Sequence, residues 1–140
     1  MAARPYAESL ERLKKAKLRP TRQRLALCRI LFDTGDRHVS AEQVLAEAHE
    51  AGVRVSLATI YNALHQFTQA GLLRQVIVDG AKTYFDTNIS GHHHFYNEQT
   101  GALSDIAGDS VSVSGLPPAP HGSEIESIDV TVRLKLKNKN

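Results

Sequence analysis

Three consecutive histidines, His92 to His94, are the residues of this sequence with the clearest chemical potential. On an extended strand, side chains at i and i+2 share one face, so His92 and His94 can bind one ion while His93 points the other way. Asp86 and His38 can add a carboxylate oxygen and a third imidazole. Three imidazoles and a carboxylate suit iron, manganese or zinc. The candidate metal ligands are therefore His38, Asp86, His92 and His94.

Haem is a second candidate cofactor for the same histidines. The two axial ligands of a haem iron lie on opposite faces of the porphyrin, so neighbouring histidines on one short strand cannot form a trans pair. One residue among His92, His93 and His94, with a ligand from elsewhere, is the feasible arrangement. Haem and a divalent metal ion both stay open as cofactors on this reasoning.

A metal-dependent hydrolase is the enzymatic interpretation of the histidine cluster. Hydrolysis at a bound metal requires an open coordination position and a general base placed beside it. The sequence contains neither an HExxH motif nor a carboxylate cluster of the kind that binds two metal ions. We therefore predict that the chain is not an enzyme.

Cys28 is the only cysteine, so neither an intramolecular disulfide nor a structural CxxC zinc site can form. Its apolar neighbours in residues 25–32 predict a small buried residue rather than a redox or haem thiolate. The N-terminal segment lacks an apolar signal core, and no run of about 18 apolar residues occurs. These features predict a reducing, cytoplasmic setting and no membrane segment.

Charge is divided unevenly along the chain, although the formal net charge is only +2. Residues 1–82 contain 13 Lys and Arg against 8 Asp and Glu, whereas residues 83–140 contain 4 against 7. A basic surface attracts a polyanion, and an acidic one is suited to cations. The first part of the chain is therefore predicted to bind nucleic acid, and the second part to bind a cation.

The element that would position nucleic-acid contacts is a predicted helix over residues 56–71. Ile60, Leu64 and Phe67 recur at i, i+4 and i+7, so one side of this helix is apolar and the others carry polar groups. An Asp-Gly pair at residues 79–80 follows, between two apolar runs, and this pattern is typical of a β-hairpin. A helix followed by a hairpin is the end of a winged helix-turn-helix.

Three predicted helices precede this element, over residues 6–17, 22–33 and 40–52. A Ser or Thr side chain can cap the start of a helix, and the sequence offers one before each of the last three helices, namely Thr21, Ser40 and Ser56. Short connections would fold the helices into a compact bundle that carries the fourth helix on its surface.

The second half of the chain changes to strand and turn patterns. Residues 95–97 and 102–106 flank a loop that contains glycine, which predicts a hairpin. Residues 107–122 are rich in Gly, Ser and Pro, which excludes a regular helix. Apolar and polar residues alternate over 128–136, which predicts a long amphipathic strand. Three strands with one apolar face cannot bury that face alone, so we predict a homodimer.

Double-stranded DNA is the natural partner of a polar helix carried on a basic bundle with a wing. The major groove admits one α-helix, and exposed side chains of that helix read base edges. Tyr61 offers a hydroxyl and an apolar ring, while Ser56 and Thr59 lie near a helix N-terminus that can meet phosphate. The predicted DNA contacts are Arg19, Arg22, Arg24, Ser56, Thr59, Tyr61, Asn62, His65 and Lys82. A winged helix used only for protein association is the alternative.

Several motifs together resemble the ferric uptake regulator (Fur) superfamily. They are Leu18-Arg19-Pro20-Thr21 with Arg24, His38 to Glu42, Ala58 to Leu64, Gly71-Leu72, and Asp86 with the histidine cluster. The resemblance implies a dimeric, metal-responsive bacterial transcription factor with an N-terminal winged helix and a C-terminal α/β dimerisation domain. It implies a minor-groove contact for Arg19 and a base contact for Tyr61. It also implies that the regulatory metal ligands are His38, Asp86, His92 and His94.

This sequence departs from the usual pattern of the superfamily in several features. In those features it is similar to the iron response regulator (Irr) branch. Asn-Glu-Gln-Thr at 97–100 stands where the family often has a structural-zinc CxxC, and a Gly/Pro-rich segment replaces the usual helix between the later strands. The three histidines are not interrupted by an acid. The Irr resemblance implies control of iron and haem metabolism, with a haem response that involves this segment. The Cys-Pro haem motif of some members is missing, because Arg19 precedes Pro20.

The fold class predicted from these observations is α+β. Residues 1–87 are predicted to form a winged helix-turn-helix DNA-binding domain, and residues 88–140 a small, mainly β domain for dimerisation and effector sensing. The predicted function is regulation of iron-dependent genes from an AT-rich palindromic operator, with haem or a divalent ion such as Fe²⁺ or Mn²⁺ altering DNA affinity. A Fur-family regulator that senses manganese, zinc or peroxide is the alternative.

Overall fold

The computed structural model describes residues 6–79 and 82–137. The chain divides into two compact units, of which the first ends at Ile89 and the second begins at Ser90. In the part of the chain that is described, no helix combines the length and the apolar character that crossing a lipid bilayer requires. The predicted turn residue Gly80 lies outside the described residues.

Helices dominate the first unit, and a small sheet completes it. The helices are α1 (Ala7–Lys15), α2 (Arg22–Phe32), α3 (Ala41–Glu50) and α4 (Leu57–Gln69), and the strands are β1 (His38–Val39), β2 (Arg74–Asp79) and β3 (Lys82–Asp86). The sheet is antiparallel, in the order β1-β3-β2. The sequence predicts only a connection over residues 35–39, but the last two residues form β1 because they pair with β3.

Local sequence determines where three of the helices begin. Thr21, Ser40 and Ser56 have extended backbones, and each side-chain oxygen accepts the N–H of the residue three positions later at 3.1 Å. Such a cap satisfies one of the backbone donors that have no partner inside the helix. Gly71 follows α4 with a φ of +82°, the left-handed conformation predicted for it. The predicted caps are therefore confirmed.

A continuous apolar core holds the first unit together. Helix α4 contributes Ile60, Leu64 and Phe67, the residues predicted to form its apolar side, and none of them has exposed surface. Cys28 belongs to the same core, as predicted, and its burial raises the pKa of the thiol to about 11. The core is formed by Leu13, Leu27, Cys28, Leu31, Val39, Ala41, Val44, Ile60, Ala63, Leu64, Phe67, Leu73 and Phe85.

The second unit is built around a three-stranded sheet in the order β5-β4-β6. Its elements are β4 (His92–Asn97), β5 (Leu103–Ala107), a single 3-10 turn (Gly108–Ser110) and β6 (Thr131–Leu134). Strands β4 and β5 form the predicted hairpin, and the side-chain oxygen of Asn97 accepts the N–H groups of Gln99 and Thr100 at 2.9 and 3.1 Å. Asn97 thus closes the turn of this hairpin.

Strand β6 is shorter than the strand predicted over residues 128–136. It runs parallel to residues 94–97 of β4, and β4 ends there. Further along, the N–H of Leu136 donates to the side-chain oxygen of Gln99 at 2.9 Å instead of to a neighbouring strand. A strand needs a backbone partner along its length, so alternation of side chains over-predicts this one. Residues 107–122 contain no α-helix, as predicted, although Gly108–Ser110 form a 3-10 turn.

The two faces of this sheet differ in character. Paired residues on neighbouring strands share a face, so Phe95, Val132 and Leu134 lie on one side, and they are 36%, 37% and 38% exposed. The opposite face of β4 carries His92, His94 and Tyr96, which are buried. The predicted alternation of the three histidines across the sheet is therefore present.

Candidate functional site

One candidate site is the solvent-facing side of α4 together with the start of α2. The apolar side of α4 faces the core, which leaves Asn62 and His65 exposed and Tyr61 half-buried. A groove lies between the start of α2 and α4, and its lining includes Arg19, Arg24, Thr59, Asn62 and Gln66. The structure therefore brings several of the predicted DNA contacts to one surface.

Arg24 connects the segment before α2 to α4. One of its terminal nitrogens donates to the carbonyl oxygen of Arg19 and the other to Oε1 of Gln66, each at 2.8 Å. These bonds hold the backbone of Arg19 beside α4, while the Arg19 side chain stays exposed. Arg24 was predicted as a DNA contact, and the structure adds a positioning role through these two bonds.

Tyr61 is held by contacts at both ends of its side chain. Its hydroxyl donates to Oε1 of Glu42 on α3 at 3.1 Å, and this hydrogen bond raises the pKa of Tyr61. The ring stacks on His65 with centroids 6.3 Å apart, and His65 in turn meets the ring of Phe85 edge-on at 5.6 Å. The orientation of the tyrosine is therefore fixed by α3 and α4 together.

The other predicted DNA contacts lie at element ends. Ser56 Oγ caps α4 and lies 3.0 Å from the hydroxyl of Thr59, so both hydroxyls take part in the cap. Arg22 is exposed in the first turn of α2. Lys82 is exposed at the start of β3 and pairs with Asp79 in the strand register, beside wing-turn residues that lie outside the described ranges.

In the first unit, His38 and Asp86 form a donor pair across strands β1 and β3. They are partners in the strand register, and Nε2 of His38 lies 3.1 Å from Oδ2 of Asp86. The Asp86 carboxylate is buried, and its other oxygen accepts the N–H of Asn88 at 2.9 Å. A buried carboxylate beside an imidazole is a suitable pair of ligands for a divalent cation.

A network around Arg37 fixes the strand that carries His38. The guanidinium of Arg37 donates to the carbonyl oxygen of Ile30 and to Oε2 of Glu47, each at 2.8 Å, and the half-buried ion pair joins it to α3. Its backbone N–H donates to Oγ1 of Thr87 at 2.8 Å, and the Thr87 N–H donates back to the Arg37 carbonyl at 3.0 Å. The His38–Asp86 pair is thus tied to α2 and α3.

In the second unit, His92, His94 and Asp105 form a donor group. Their potential ligand atoms all lie within 4.8 Å of one another. Oδ1 of Asp105 is 3.4 Å from Nε2 of His92 and 3.6 Å from Nε2 of His94. Two imidazoles and a carboxylate on one sheet face suit a metal of the iron, manganese and zinc group.

Asp105 was missed from the sequence, although a signal for it exists. The predicted hairpin has its loop at residues 98–101, and continuing that register away from the loop places Asp105 opposite His94, as the structure does. Residues directly opposite one another share a face of the sheet. The register of the hairpin, rather than spacing along the chain, therefore identifies the carboxylate.

Hydrogen bonds assign different roles to the neighbouring histidines His92 and His93. Nδ1 of His92 lies 2.7 Å from the carbonyl oxygen of Ser90, which can only accept, so Nδ1 carries a proton. In neutral His92 the lone pair is then on Nε2, the atom that faces Asp105. A cation bound between Nε2 and the Asp105 carboxylate would remove the repulsion between these two acceptors. Nδ1 of His93 instead accepts the N–H of Val130 at 3.1 Å, so its proton is on Nε2. His92 is prepared for a metal, whereas His93 supports the sheet.

The sequence pattern of the Ferric uptake regulator family matches residues 15–133. The chain belongs to this family. The ferric uptake regulation protein of Pseudomonas putida is 32% identical over 127 residues, which cover 89% of this chain and 95% of that protein. The peroxide-responsive repressor PerR of Staphylococcus aureus is 32% identical over 99 residues, which cover 71% of this chain and 66% of that protein.

A solved structure of the ferric uptake regulator from Pseudomonas aeruginosa with manganese has the same fold as this Fur-family chain. The TM-score is 0.70 at 28% identity, and the match covers 93% of this chain and 98% of that one. The family and the α+β fold class predicted from the sequence are therefore confirmed. The named relatives are regulatory proteins.

Proposed function

We propose that the chain is a homodimeric, DNA-binding transcription regulator whose affinity for its operator changes when a divalent metal ion binds. The observation that carries this proposal is strand β3, which begins at the wing with Lys82 and ends at Asp86, the partner of His38. One strand therefore joins an element that can touch DNA to one that can bind metal. Membership in the Fur family supports the same function.

On the DNA side, α4 is proposed to enter the major groove. Its exposed polar side and the half-buried ring of Tyr61 present hydrogen-bonding groups and an apolar surface, which is what base edges require. Arg19, held beside α4 through Arg24, is proposed to contact the minor groove. Arg22, Ser56, Thr59 and Lys82 are proposed to contact phosphates, and Asn62 and His65 bases.

On the metal side, the proposed ligands are those predicted from the sequence, with one addition. The imidazole and carboxylate donors fit a divalent ion of the iron, manganese and zinc group, because the contact of Nδ1 of His92 with the Ser90 carbonyl leaves Nε2 as the ring nitrogen that can bind the ion. A bound ion would supply positive charge that offsets carboxylates close to the histidines. The proposed ligands are His38, Asp86, His92 and His94, with Asp105 as a further donor.

The genes that the chain is proposed to regulate are those of iron and haem metabolism, on the basis of the resemblance to the Irr branch. A response to haem would use His92 or His94, since the bond from Val130 occupies the lone pair of His93. A regulator that senses manganese, zinc or peroxide is the alternative. It is favoured by the similarity to a peroxide-responsive repressor and to a Fur structure with manganese.

A second copy of the chain is the proposed cover for the apolar sheet face of the second unit. Phe95, Val132 and Leu134 lie together on that face and are more than a third exposed. A small sheet with one open apolar face is only marginally stable by itself. A homodimer would also match a palindromic operator, because two-fold symmetry in the protein corresponds to two-fold symmetry in the site.

The test of the proposed function is DNA binding measured with and without metal. Duplexes selected from a random pool in the presence of Mn²⁺ should be AT-rich palindromes, and metal should change their affinity by about 5- to 150-fold. Tyr61→Ala and Arg19→Ala should each weaken binding by about 5- to 100-fold. His94→Ala should remove the response to metal while the metal-free protein binds as the wild type does.

Arg54→Ala is the matched control for Arg19→Ala, because Arg54 is an exposed arginine of the same unit outside the groove. Repeating the titration with Fe²⁺ and with haem separates the candidate effectors, since haem binding has its own absorption band. Equal affinity for selected and scrambled duplexes would refute specific DNA binding. Affinity that no metal ion and no haem changes would refute the regulatory part.

A further inference from the structure

Three helices of the first unit end in the same backbone motif. After each helix, one N–H donates to the carbonyl three residues earlier, and the next N–H donates to the carbonyl five residues earlier. This pair of bonds is a Schellman motif, which places the first of the two donor residues in the left-handed conformation. The donor pairs are Lys17 and Leu18 after α1, Gly52 and Val53 after α3, and Gly71 and Leu72 after α4.

Glycine occupies the left-handed position in two of these motifs and lysine in the third. The φ angles are +78° for Gly52, +82° for Gly71 and +60° for Lys17. Lys17 is the one residue other than glycine with a positive φ among the residues described. A β-carbon is disfavoured in this region, so glycine would be the more stable choice. Local stability therefore does not account for the lysine.

The end of α1 lies next to the segment that leads to the candidate DNA surface. Leu18 packs against the core, and the carbonyl of Arg19 is held by Arg24, which also binds Gln66 of α4. Lys17 is exposed, and no carboxylate in the described part of the chain forms an ion pair with it. A positive charge is therefore presented from a fixed backbone two residues before Arg19.

We propose that Lys17 contacts a DNA phosphate, and that the left-handed end of α1 holds its side chain in place for that contact. Strained backbone conformations persist where function requires them, and the charge of the lysine is what glycine lacks. A phosphate contact adds affinity without adding sequence preference. The inference rests on the proposed DNA-binding function and adds a contact to it.

Lys17→Gly tests the proposal because its two expected effects have opposite signs. Relief of the left-handed strain should raise Tm by about 2 to 5 °C. Loss of the phosphate contact should weaken DNA binding roughly 3- to 10-fold per subunit and lower the slope of log affinity against log salt by about 1. The loss should be the same for selected and scrambled duplexes, as measured by fluorescence anisotropy across a salt series.

Two control variants separate charge from conformation. Lys17→Arg keeps the charge and the strain, so its DNA affinity should match that of the wild type. Lys135→Gln removes an exposed positive charge from the second unit and should change neither Tm nor the salt slope. A fall in Tm for Lys17→Gly would overturn the claim that the lysine is retained against local stability.

Comparison with the Arg19 and Tyr61 variants distinguishes failure of this inference from failure of the proposed function. If Lys17→Gly leaves the affinity and the salt slope unchanged while Arg19→Ala and Tyr61→Ala weaken binding, the Lys17 contact is refuted and DNA binding by α4 stands. If all three variants bind as the wild type does, the whole surface is refuted.

Discussion

The two units of this protein bury different kinds of side chain. The first has a core of apolar residues drawn from all four of its helices and from its sheet. In the described part of the second unit, the buried residues are Tyr96 and the two histidines His92 and His94. Large apolar residues are instead exposed there, among them Phe95, Val132 and Leu134. The first unit thus hides its apolar surface, and the second leaves much of it open.

This difference shows what each unit needs in order to be stable. Burial of apolar surface contributes about 25 cal/mol for each Å² removed from water, so the first unit gains stability from its own residues. Buried imidazoles stabilise a structure only when they are hydrogen-bonded or bound to a cation. We expect the first unit to be stable without metal or partner, and the second to depend on both.

The largest expected effect is the loss of a ring from the core of the first unit. Phe67→Ala removes a side chain with no exposed surface from the last turn of α4, and should lower the free energy of unfolding by about 3 to 5 kcal/mol. Urea denaturation followed by the helical circular dichroism signal measures this change, since the helices longer than one turn lie in the first unit among the described residues.

Ile77→Ala is the matched control for that variant, because Ile77 is a large apolar residue of the same unit that is 63% exposed. Its effect should be within about 0.5 kcal/mol. A loss of less than about 1 kcal/mol for Phe67→Ala would contradict the view that this core stabilises the first unit.

The same difference explains which parts of the fold could be predicted from the sequence. A helix start in the first unit depends on a side-chain hydroxyl and a backbone N–H three residues apart, so Ser56 was identified correctly. The core depends on apolar residues that recur about every 3.6 residues along a helix, so Phe67 was identified correctly as well. Strand β6 was over-predicted because its length is set by the end of β4 at Asn97, which side-chain alternation does not encode.

The geometry of the candidate sites was also not predictable from local sequence patterns. Pairing of His38 with Asp86 depends on strand register across 48 positions, and the two were proposed together because their side chains suit a metal and because of the resemblance to the Fur superfamily. The bonds from Arg24 to Gln66 and from Tyr61 to Glu42 join residues of different helices that are 42 and 19 positions apart in sequence. Residue type indicated the chemistry of these side chains, but only the packing of the helices shows which of them have protein partners.

A smaller effect is expected from the backbone of the second unit. A β-carbon added at Gly108 would clash with the carbonyl oxygen of Gly91, and no side-chain rotation can relieve a contact with backbone. Gly108→Ala should therefore displace the turn after β5 from the start of β4, at a cost of about 1 to 3 kcal/mol. Amide hydrogen exchange along residues 92–97 measures the change where it is expected.

Gly91→Ala is the control on the other side of that contact. A β-carbon at Gly91 meets no atom within 4 Å, so hydrogen exchange in β4 should be close to that of the wild type. If both variants leave exchange unchanged, the close approach of Gly108 to Gly91 is not what holds this end of the sheet. Faster exchange in Gly108→Ala alone would show that backbone packing stabilises a unit with few buried apolar side chains.

The smallest expected effect concerns the thiol of Cys28, which reports how well the first core excludes water. Burial raises its pKa from 9.0 to about 11, so the unfolded chain loses the proton at a lower pH than the folded one. The contribution of the thiol to the free energy of unfolding is fully present below pH 9 and is lost as the pH rises towards 11. The loss between pH 8 and 10 is about 1.4 kcal/mol. Cys28→Ala lacks the titration, so the wild type should lose that much more stability than the variant over this range in urea denaturation. Parallel losses in the two proteins would mean that water reaches the thiol in the folded state.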